Sequence, residues 1–382
     1  MNRNKKCGLY VHIPFCHRKC LYCDFFSAGD KIADWDAYIK AILSEASVRR
    51  EELPSSPSTL YIGGGTPSLI PTEHFLRLMQ GLKEFFPGLS PDEFTIEANP
   101  DDIDEERINV WKAEGVNRVS LGVQSFNNDE LKAVGRLHSA TQAEDAILLL
   151  KENFSNVSTD LIFGLPGQTI ESWQKTVEKM IDLCPAHISA YSLMYEQGTS
   201  LTALRETGRL KATPEEDSER MFEFLTEKLR GAGYERYEIS NYARPEMYSR
   251  HNTSYWKGIP YLGLGPSAHS YDGEKARRWN VPDLKGYLRH YAAKDVETPI
   301  YKEEILTEEE LREEYILTRM RMAEGITLAE YDNLWGEESG EILRRNARKE
   351  IERGLLREKD GNIFLTDEGI MIADSVIVQL AM

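Results

Sequence analysis

The chain has few cysteines, an excess of negative over positive charge, and no long hydrophobic run. Five cysteines occur in 382 residues. The apolar run near the N-terminus is broken by His12 and Pro14, so it does not read as an export signal. An odd cysteine count without such a signal argues against a disulfide framework and favours a cytoplasmic protein. Because nowhere do about 18 apolar residues follow one another, the sequence predicts no transmembrane helix.

The charge balance limits the partners. There are 46 Lys and Arg residues against 63 Asp and Glu residues, a formal net charge of −17. Residues 303–382 are more acidic still, with 20 acidic and 10 basic side chains. A surface of this sign repels nucleic acid, so we expect no nucleic-acid partner.

The first half of the chain alternates between short apolar runs and amphipathic stretches. Such an alternation predicts an α/β protein with parallel strands joined by right-handed crossovers, either a doubly wound sheet or a complete or partial barrel. The candidate strands read "LYVHIPF", "STLYIGGG", "EFTIEANP", "NRVSLGVQS", "NVSTDLIFGLPG" and "HISAYSLM".

Unusual polar or small residues occur at the ends of these strands. Cysteines follow the first strand and "GGGTP" the second, while Glu97 and Gln124 end the third and fourth and Asp160 lies in the fifth. The carboxyl ends of parallel strands meet at one edge, where ligands bind in such folds. We therefore expect the active site at this edge.

The C-terminal part has a different pattern. Helical stretches follow residue 305, and then a hairpin is predicted to turn at Asp360-Gly361 before a last helix. Helices with a small hairpin suggest a winged-helix-like module. Winged helices often bind DNA, but the acidity of this segment favours packing or partner contact instead.

Three of the cysteines are crowded into "CHRKCLYC", at Cys16, Cys20 and Cys23. Thiolates bind soft metals, and three of them can hold three corners of an iron–sulfur cluster. A structural zinc ion requires four ligands, so His12 or His17 would have to be the fourth. A redox pair would not need Cys16. The spacing favours an iron–sulfur cluster with one iron left open, and zinc binding and thiol chemistry remain alternatives.

A CxxxCxxC motif after a first strand resembles the signature of the radical S-adenosylmethionine (SAM) superfamily. The chain further resembles the oxygen-independent coproporphyrinogen III oxidase group and, more narrowly, its HemW branch, regarded as heme chaperones. The segments that carry this resemblance are "GLYVHIPFCHRKCLYCDFFS", "YIGGGTPS", "IEANP", "SLGVQSF", "GRLHS", "DLIFGLPGQT", "HNTSYW" and "LGLGPSAHS".

The resemblance implies a partial (β/α)6 radical SAM barrel with a C-terminal winged-helix-like domain, one [4Fe-4S] cluster and SAM. It implies that the open iron chelates the amino and carboxylate groups of SAM, and that an electron from the cluster then yields a 5′-deoxyadenosyl radical. The implied cluster ligands are Cys16, Cys20 and Cys23. The implied SAM contacts are Tyr10, Tyr22, Gly64, Gly65, Thr66, Glu97, Gln124, Arg136 and Asp160, with Met194 and His269 added from weaker segments.

The predicted domains are a radical SAM partial barrel over residues 1–235, a barrel extension with the HNxxYW segment over 236–300, and the winged-helix-like domain over 301–382.

Two departures argue against oxidase activity. The oxidases usually carry a fourth cysteine where this chain has Phe25, and they have a longer N-terminal segment before the strand that here contains Tyr10. The chaperone branch instead typically has "RHNTSYW", in which His251 is a candidate heme ligand beside the flat surfaces of Tyr255 and Trp256. A histidine in this position could equally cap a turn.

The sequence therefore predicts a cytoplasmic protein that binds heme and passes it to client hemoproteins. The alternative is a radical SAM enzyme that oxidatively decarboxylates porphyrinogen propionates, and a third class is a zinc-stabilised interaction module. An electron donor for the cluster is implied by the resemblance. Homodimer formation and transient membrane contact are left open.

Overall fold

The structure, a computed structural model, describes residues 6–293 and 296–382. Its strands are β1 (Gly8–Ile13), β2 (Phe15–Cys16), β3 (Ala28–Gly29), β4 (Thr59–Gly64), β5 (Glu93–Ala98), β6 (Arg118–Gln124), β7 (Asn156–Phe163), β8 (His187–Ser192), β9 (Glu235–Arg236), β10 (Asn241–Ala243), β11 (Tyr261–Leu264), β12 (His269–Tyr271), β13 (Ala276–Trp279), β14 (Lys302–Ile305), β15 (Ile326–Thr327), β16 (Leu356–Lys359) and β17 (Asn362–Leu365).

The helices alternate with these strands through most of the chain. They are α1 (Trp35–Arg49), α2 (Thr72–Phe85), α3 (Glu105–Glu114), α4 (Asn128–Ala133), α5 (Ala140–Asn153), α6 (Ile170–Leu183), α7 (Ser200–Glu206), α8 (Glu215–Gly231), α9 (Arg250–Trp256), α10 (Leu284–Tyr291), α11 (Glu308–Met320), α12 (Leu328–Glu352, interrupted at Gly336), α13 (Asp367–Met371) and α14 (Ala373–Ala381).

The centre of the fold is a parallel sheet built from the predicted strands. Strands β1, β4, β5, β6, β7 and β8 lie side by side in chain order, and each pairs with the next in parallel. A helix follows each strand, as right-handed βα units require. The predicted α/β fold with a partial (β/α)6 barrel is confirmed.

Alternation along each strand separates an apolar face from a polar one. In β1, Leu9, Val11 and Ile13 are fully buried in the main hydrophobic core, which also contains the inward faces of the helices. The intervening side chains, such as Tyr10 and His12, face the other way. This second face carries the polar residues of the neighbouring strands and forms the interior of the partial barrel.

Further strands extend the sheet at both of its outer strands, β1 and β8. Strand β11 pairs in parallel with β1, and β12, β13 and β14 follow it as antiparallel neighbours. At the other end β10 is antiparallel to β8, and β9 to β10. Within the described residues this gives one sheet in the order β14-β13-β12-β11-β1-β4-β5-β6-β7-β8-β10-β9. The sequence predicted a barrel extension over residues 236–300, but not the order or direction of these strands.

The C-terminal part is a small helical domain with its own core and sheet. Strands β15, β17 and β16 form this sheet, against which α11, α12 and α14 bury a separate apolar cluster. The hairpin turns at Asp360-Gly361, where both residues have positive φ, as a type I′ turn requires. The predicted winged-helix-like domain is confirmed, whereas the domain bounds stay a prediction. Of the helices that the structure describes, none combines the length and the apolar character that crossing a membrane demands.

Candidate functional site

The three clustered cysteines lie on the loop that follows β1. Cys16 ends β2, whose pairing with β3 fixes the start of the loop, and the backbone N–H of Cys23 donates to the carbonyl of Cys20 at 3.2 Å. All three thiols are free, and their side chains are partly exposed. The loop therefore presents three soft ligands at the carboxyl edge of the parallel sheet.

Burial affects the protonation of two of these thiols, Cys16 and Cys23. It raises the pKa of Cys16, an effect that the Thr66 hydroxyl partly offsets. Burial raises the pKa of Cys23 to about 11, and the neighbouring Cys20 adds to the increase. Thiols in this state are protonated near neutral pH, so binding of iron would release protons from the loop.

Arg136 connects the cysteine loop to the sheet. Its Nη1 donates to Cys20 Sγ at 3.6 Å, while its Nη2 donates to Asn99 Oδ1 at 2.7 Å and to the Gly122 carbonyl at 2.5 Å. A fixed positive charge next to a thiolate or a carboxylate favours the ionised form. Arg136 can therefore stabilise a charged cluster or a bound carboxylate at this edge.

Gly63, Gly64 and Gly65, which we call the glycine cradle, lie at the carboxyl end of β4 next to the cysteines. A Cβ at Gly65 would lie 2.8 Å from Cys16 Sγ and 2.8 Å from the Phe15 carbonyl. Gly64 has φ of +118°, a conformation that disfavours a side chain. The cradle thus brings bare backbone close to the cysteine loop, as an amino-acid ligand would require.

Two carboxyl groups lie inside the barrel, Glu97 beside the cradle and Asp160 on β7. Glu97 accepts hydrogen bonds from the Tyr61 hydroxyl at 2.7 Å and from the Gly64 N–H at 2.9 Å. Burial raises the pKa of Glu97 to about 7, and the nearby Asp160 contributes to the increase. Burial also raises the pKa of Asp160, against the opposing effect of its hydrogen bond with Ser189. Both groups can accept hydrogen bonds from hydroxyl or amino groups of a ligand.

Gln124 and Thr66 also lie at this edge. Gln124 has φ of 67° at the end of β6, where the pairing with β7 changes register. Such a backbone conformation is uncommon outside glycine and often occurs at functional sites. The buried Thr66 hydroxyl accepts from Asn99 Nδ2 at 3.3 Å, so Asn99 connects Thr66 to Arg136.

Sequence reasoning did not single out Asn99, Gly122 or Tyr61 as site residues. Asn99 directly follows β5, at the edge where the other polar residues were noted, so its position was an available signal. The contact of Gly122 depends on the loop after α4 that carries Arg136, and the contact of Tyr61 with Glu97 depends on the register of β4 and β5. No local sequence pattern predicts either.

The two predicted tyrosines border the site in different ways. The Tyr10 hydroxyl is hydrogen-bonded to His12 Nδ1 at 2.9 Å, and its ring lies 6.1 Å from that of Tyr61. Tyr22 packs against a small apolar cluster that includes Val134. Burial raises the pKa of Tyr22, although the charge of Arg136 opposes this.

Met194 and His269 lie at the same edge but farther out. Met194 follows β8 and is 66% exposed. His269 begins β12, two strands from β1, and its ring stacks on Trp279 with the centroids 6.0 Å apart. Their predicted contacts with SAM stay predictions.

His251 lies in a different place from the other predicted residues. It is 1% exposed, with Nδ1 hydrogen-bonded to Thr59 Oγ1 at 2.8 Å and Nε2 to the Tyr255 hydroxyl at 2.7 Å. Thr59 is the first residue of β4, so the imidazole lies at the amino end of the barrel. Binding of heme iron would require one of these hydrogen bonds to break and the ring to become accessible.

The residues present fit an iron–sulfur cluster and SAM. Three free thiols share one loop, and the glycine cradle approaches that loop so closely that a Cβ at Gly65 would clash with Cys16 Sγ. Among residues 6–293 and 296–382, no three His, Cys, Asp or Glu side chains are grouped to hold a single metal ion. A cubane does not need such a grouping, because each cysteine ligates a different iron atom.

Comparisons with known proteins agree with this arrangement. Residues 10–180 match the model of the radical SAM superfamily, and residues 306–372 match that of the HemN C-terminal domain. The chain is 34% identical to "Heme chaperone HemW" of Bacillus subtilis over 373 residues, which cover 96% of this chain and 97% of that protein. It is 35% identical to "Heme chaperone HemW" of Lactococcus lactis over 377 residues, which cover 96% and 95% of the two chains.

A solved structure shares the fold. The coproporphyrinogen III oxidase HemN of Escherichia coli, described as a radical SAM enzyme, superposes with a TM-score of 0.85 over 100% of this chain and 92% of that chain. The two sequences are 23% identical. This likeness establishes the fold alone.

Proposed function

We infer that this chain, which belongs to the HemW family of the radical SAM superfamily, binds heme and passes it to client hemoproteins. A [4Fe-4S] cluster and SAM would be held at the carboxyl edge of the barrel. The single observation that carries the cofactor assignment is the position of Cys16, with its thiol beside the glycine cradle at Gly65. The names of the relatives support the assignment of heme.

The cluster would be held by Cys16, Cys20 and Cys23. When bound, such a cluster supplies one electron to the sulfonium of SAM. The chain's contribution is positional: Arg136 donates to Cys20 Sγ, and its positive charge would lie beside the bound cluster. The partial exposure of the three cysteines is compatible with access by an external electron donor.

The amino-acid part of SAM would lie against the glycine cradle. The absence of side chains at Gly64 and Gly65 would let its amino and carboxylate groups approach the backbone, with the Thr66 hydroxyl and the Arg136 guanidinium as further donors. Glu97 and Asp160 lie in the barrel interior, where their carboxyl oxygens could accept from the ribose hydroxyls or the amino group.

An oxygen-independent coproporphyrinogen III oxidase would use the same cofactors. Phe25, where that group usually has a fourth cysteine, is 64% exposed. The likeness to HemN concerns the fold, so it does not favour this activity. Formation of protoporphyrinogen from coproporphyrinogen, reductant and SAM would reverse our ranking.

Metal analysis of protein purified without oxygen tests the cofactor assignment. We expect iron and acid-labile sulfide together with a broad absorption near about 400 nm that bleaches on reduction. Serine in place of Cys16, Cys20 or Cys23 should remove the iron. Cys184→Ser is the matched control, because Cys184 lies outside the loop and contacts Arg244 instead. A zinc-loaded, colourless wild type would overturn the assignment.

Heme titration and transfer test the chaperone assignment. The wild-type protein should bind heme in a spectroscopically defined complex and load an added apo-hemoprotein faster than free heme does. A wild type that binds no heme, or that retains heme without loading the apo-protein, would contradict the proposal.

A further inference from the structure

His251 belongs to a continuous set of contacts that crosses the barrel from its amino end to its carboxyl end. Helix α9, which carries His251, is anchored by Glu93. Glu93, at the start of β5, accepts the backbone N–H of Arg250 at 2.7 Å and that of His251 at 2.9 Å. With both ring nitrogens bonded as well, the imidazole has one fixed position.

The next contact is a ring stack. The His251 and Tyr61 rings lie with their centroids 5.0 Å apart and their planes at 28°. The Tyr61 ring also lies close to Gly63, where a Cβ would lie 2.7 Å from Tyr61 Cε1. The glycine therefore leaves space for the Tyr61 ring, which the imidazole supports by stacking.

The tyrosine hydroxyl then fixes a carboxylate that holds the cradle. Tyr61 donates to Glu97 Oε1 at 2.7 Å, and Glu97 Oε2 accepts the N–H of Gly64 at 2.9 Å. Both oxygens are engaged, so a displaced Tyr61 would change how Glu97 orients the backbone of Gly64. The adjacent Gly65 approaches Cys16 Sγ.

We propose that His251 is a positioning residue for SAM, acting through Tyr61 and Glu97 on the glycine cradle, and that it does not ligate heme. The HNxxYW segment then supports the cofactor site from the opposite end of the barrel. This inference rests on the proposed binding of SAM. It concerns the ground-state affinity for SAM, which can be measured without turnover.

The test is the dissociation constant for SAM, measured by calorimetry under anaerobic conditions on protein with its cluster. Tyr61→Phe removes one hydrogen bond to Glu97 and keeps the ring, and His251→Ala removes the stacked imidazole. We expect each to weaken SAM binding about three- to tenfold, the effect of losing roughly one hydrogen bond. Iron content and heme binding should stay at the wild-type level.

His187→Ala is the matched control for burial. His187 is also fully buried in the barrel interior, with both nitrogens bonded, to Ser158 Oγ at 2.8 Å and to the Tyr237 hydroxyl at 2.8 Å. Its hydrogen-bond partners do not include Glu97. Its loss should lower thermal stability as His251→Ala does, but leave the affinity for SAM unchanged.

The double variant tests whether the two residues act as a unit. If His251 acts through Tyr61, adding His251→Ala to Tyr61→Phe should weaken SAM binding by less than the product of the single effects. His251→Phe, which keeps a flat ring, serves if the alanine variant does not fold, and it should fall between wild type and Tyr61→Phe.

The outcomes separate this inference from the proposed function. A wild type that binds no SAM would refute the cofactor assignment itself. If the wild type binds SAM, an unchanged affinity in folded His251 and Tyr61 variants would overturn the positioning role. Loss of heme binding with SAM affinity intact in His251→Ala would also overturn it and restore His251 as a heme ligand.

Discussion

Arg136 Nη1 lies 3.6 Å from Cys20 Sγ and donates a hydrogen bond to it. The other terminal nitrogen of the same guanidinium is shared by Asn99 and the Gly122 carbonyl. One side chain thus fixes the position of the cysteine loop relative to β6 and to the end of β5. A lysine could supply the charge but not this forked arrangement.

Replacing Arg136 should therefore impair cofactor binding. We expect Arg136→Gln to weaken SAM binding about ten- to a hundredfold, because hydrogen bonds to charged groups contribute roughly 1.5–3 kcal/mol. Calorimetric titration on cluster-loaded protein measures this. Arg77→Gln is the control, since Arg77 on α2 forms an exposed ion pair with Asp36 on α1, outside the site. Wild-type affinity in Arg136→Gln would contradict the assigned role.

A side chain at Gly65 should disrupt the contact between the glycine cradle and the cysteine loop. The added methyl of Gly65→Ala would lie 2.8 Å from both Cys16 Sγ and the Phe15 carbonyl, so one of the two backbones must move. We expect lower iron retention and weaker SAM binding, measured by iron analysis and titration. Gly29→Ala is the matched control, because Gly29 pairs with Cys16 across β2 and β3 but has open space at its Cβ. Equal iron content in the two variants would contradict the expectation that the contact between the cradle and the cysteine loop is needed to retain iron.

Glu97 should make the stability of the metal-free chain depend on pH. Its pKa rises from 4.5 to about 7 on folding, chiefly through burial. Between these values the folded chain keeps a proton that the unfolded chain releases, so this contribution to stability falls as pH increases. The total is about 3 kcal/mol by the usual conversion.

The Glu97→Gln variant isolates this contribution, because an amide does not titrate. We expect the Tm of the variant minus that of the wild type to increase from about pH 5 to about pH 7.5 and then to level off. Thermal unfolding followed by circular dichroism measures both proteins. Parallel curves over this range would show that Glu97 titrates as it does in the unfolded chain.

Glu93 should stabilise the helix that carries His251. Both of its oxygens accept backbone N–H groups from the first turn of α9, and its side chain is buried. We expect Glu93→Gln to lower the free energy of unfolding by about 1–3 kcal/mol, because one buried N–H loses its acceptor. Denaturant unfolding measures this. Glu309→Gln, at an exposed ion pair with Arg312, should change it little.

The parallel core could be predicted because each of its strands has a recognisable pattern in its own local sequence. In β1 the alternation of Leu9, Tyr10 and Val11 is visible in the sequence, and the structure keeps it as a buried apolar face and a polar interior. The hairpin at Asp360-Gly361 was equally local, since few residue pairs accept two positive φ angles. The position of the site at the carboxyl edge followed from strand direction.

The surroundings of particular side chains could not be predicted in the same way. The sequence distinguished His251 by its motif but gave no information on burial, which depends on α9 packing against β4 some 190 residues earlier in the chain. Strand β11 is only four residues long, and its pairing with β1 joins residues about 250 positions apart. In the sequence, Glu93 is an ordinary charged residue at a strand end. Its role as the acceptor for the first turn of α9 depends on the packing of that helix.

Helix α9 also limits the access of small molecules to the barrel interior from its amino end. It covers the first residues of β4 and β5, with His251 against Thr59 and its own backbone held by Glu93. Along β4 and β5, a small molecule in the barrel interior therefore has no exit at the amino end. A second protein bound over the carboxyl edge would slow the exchange of such a molecule.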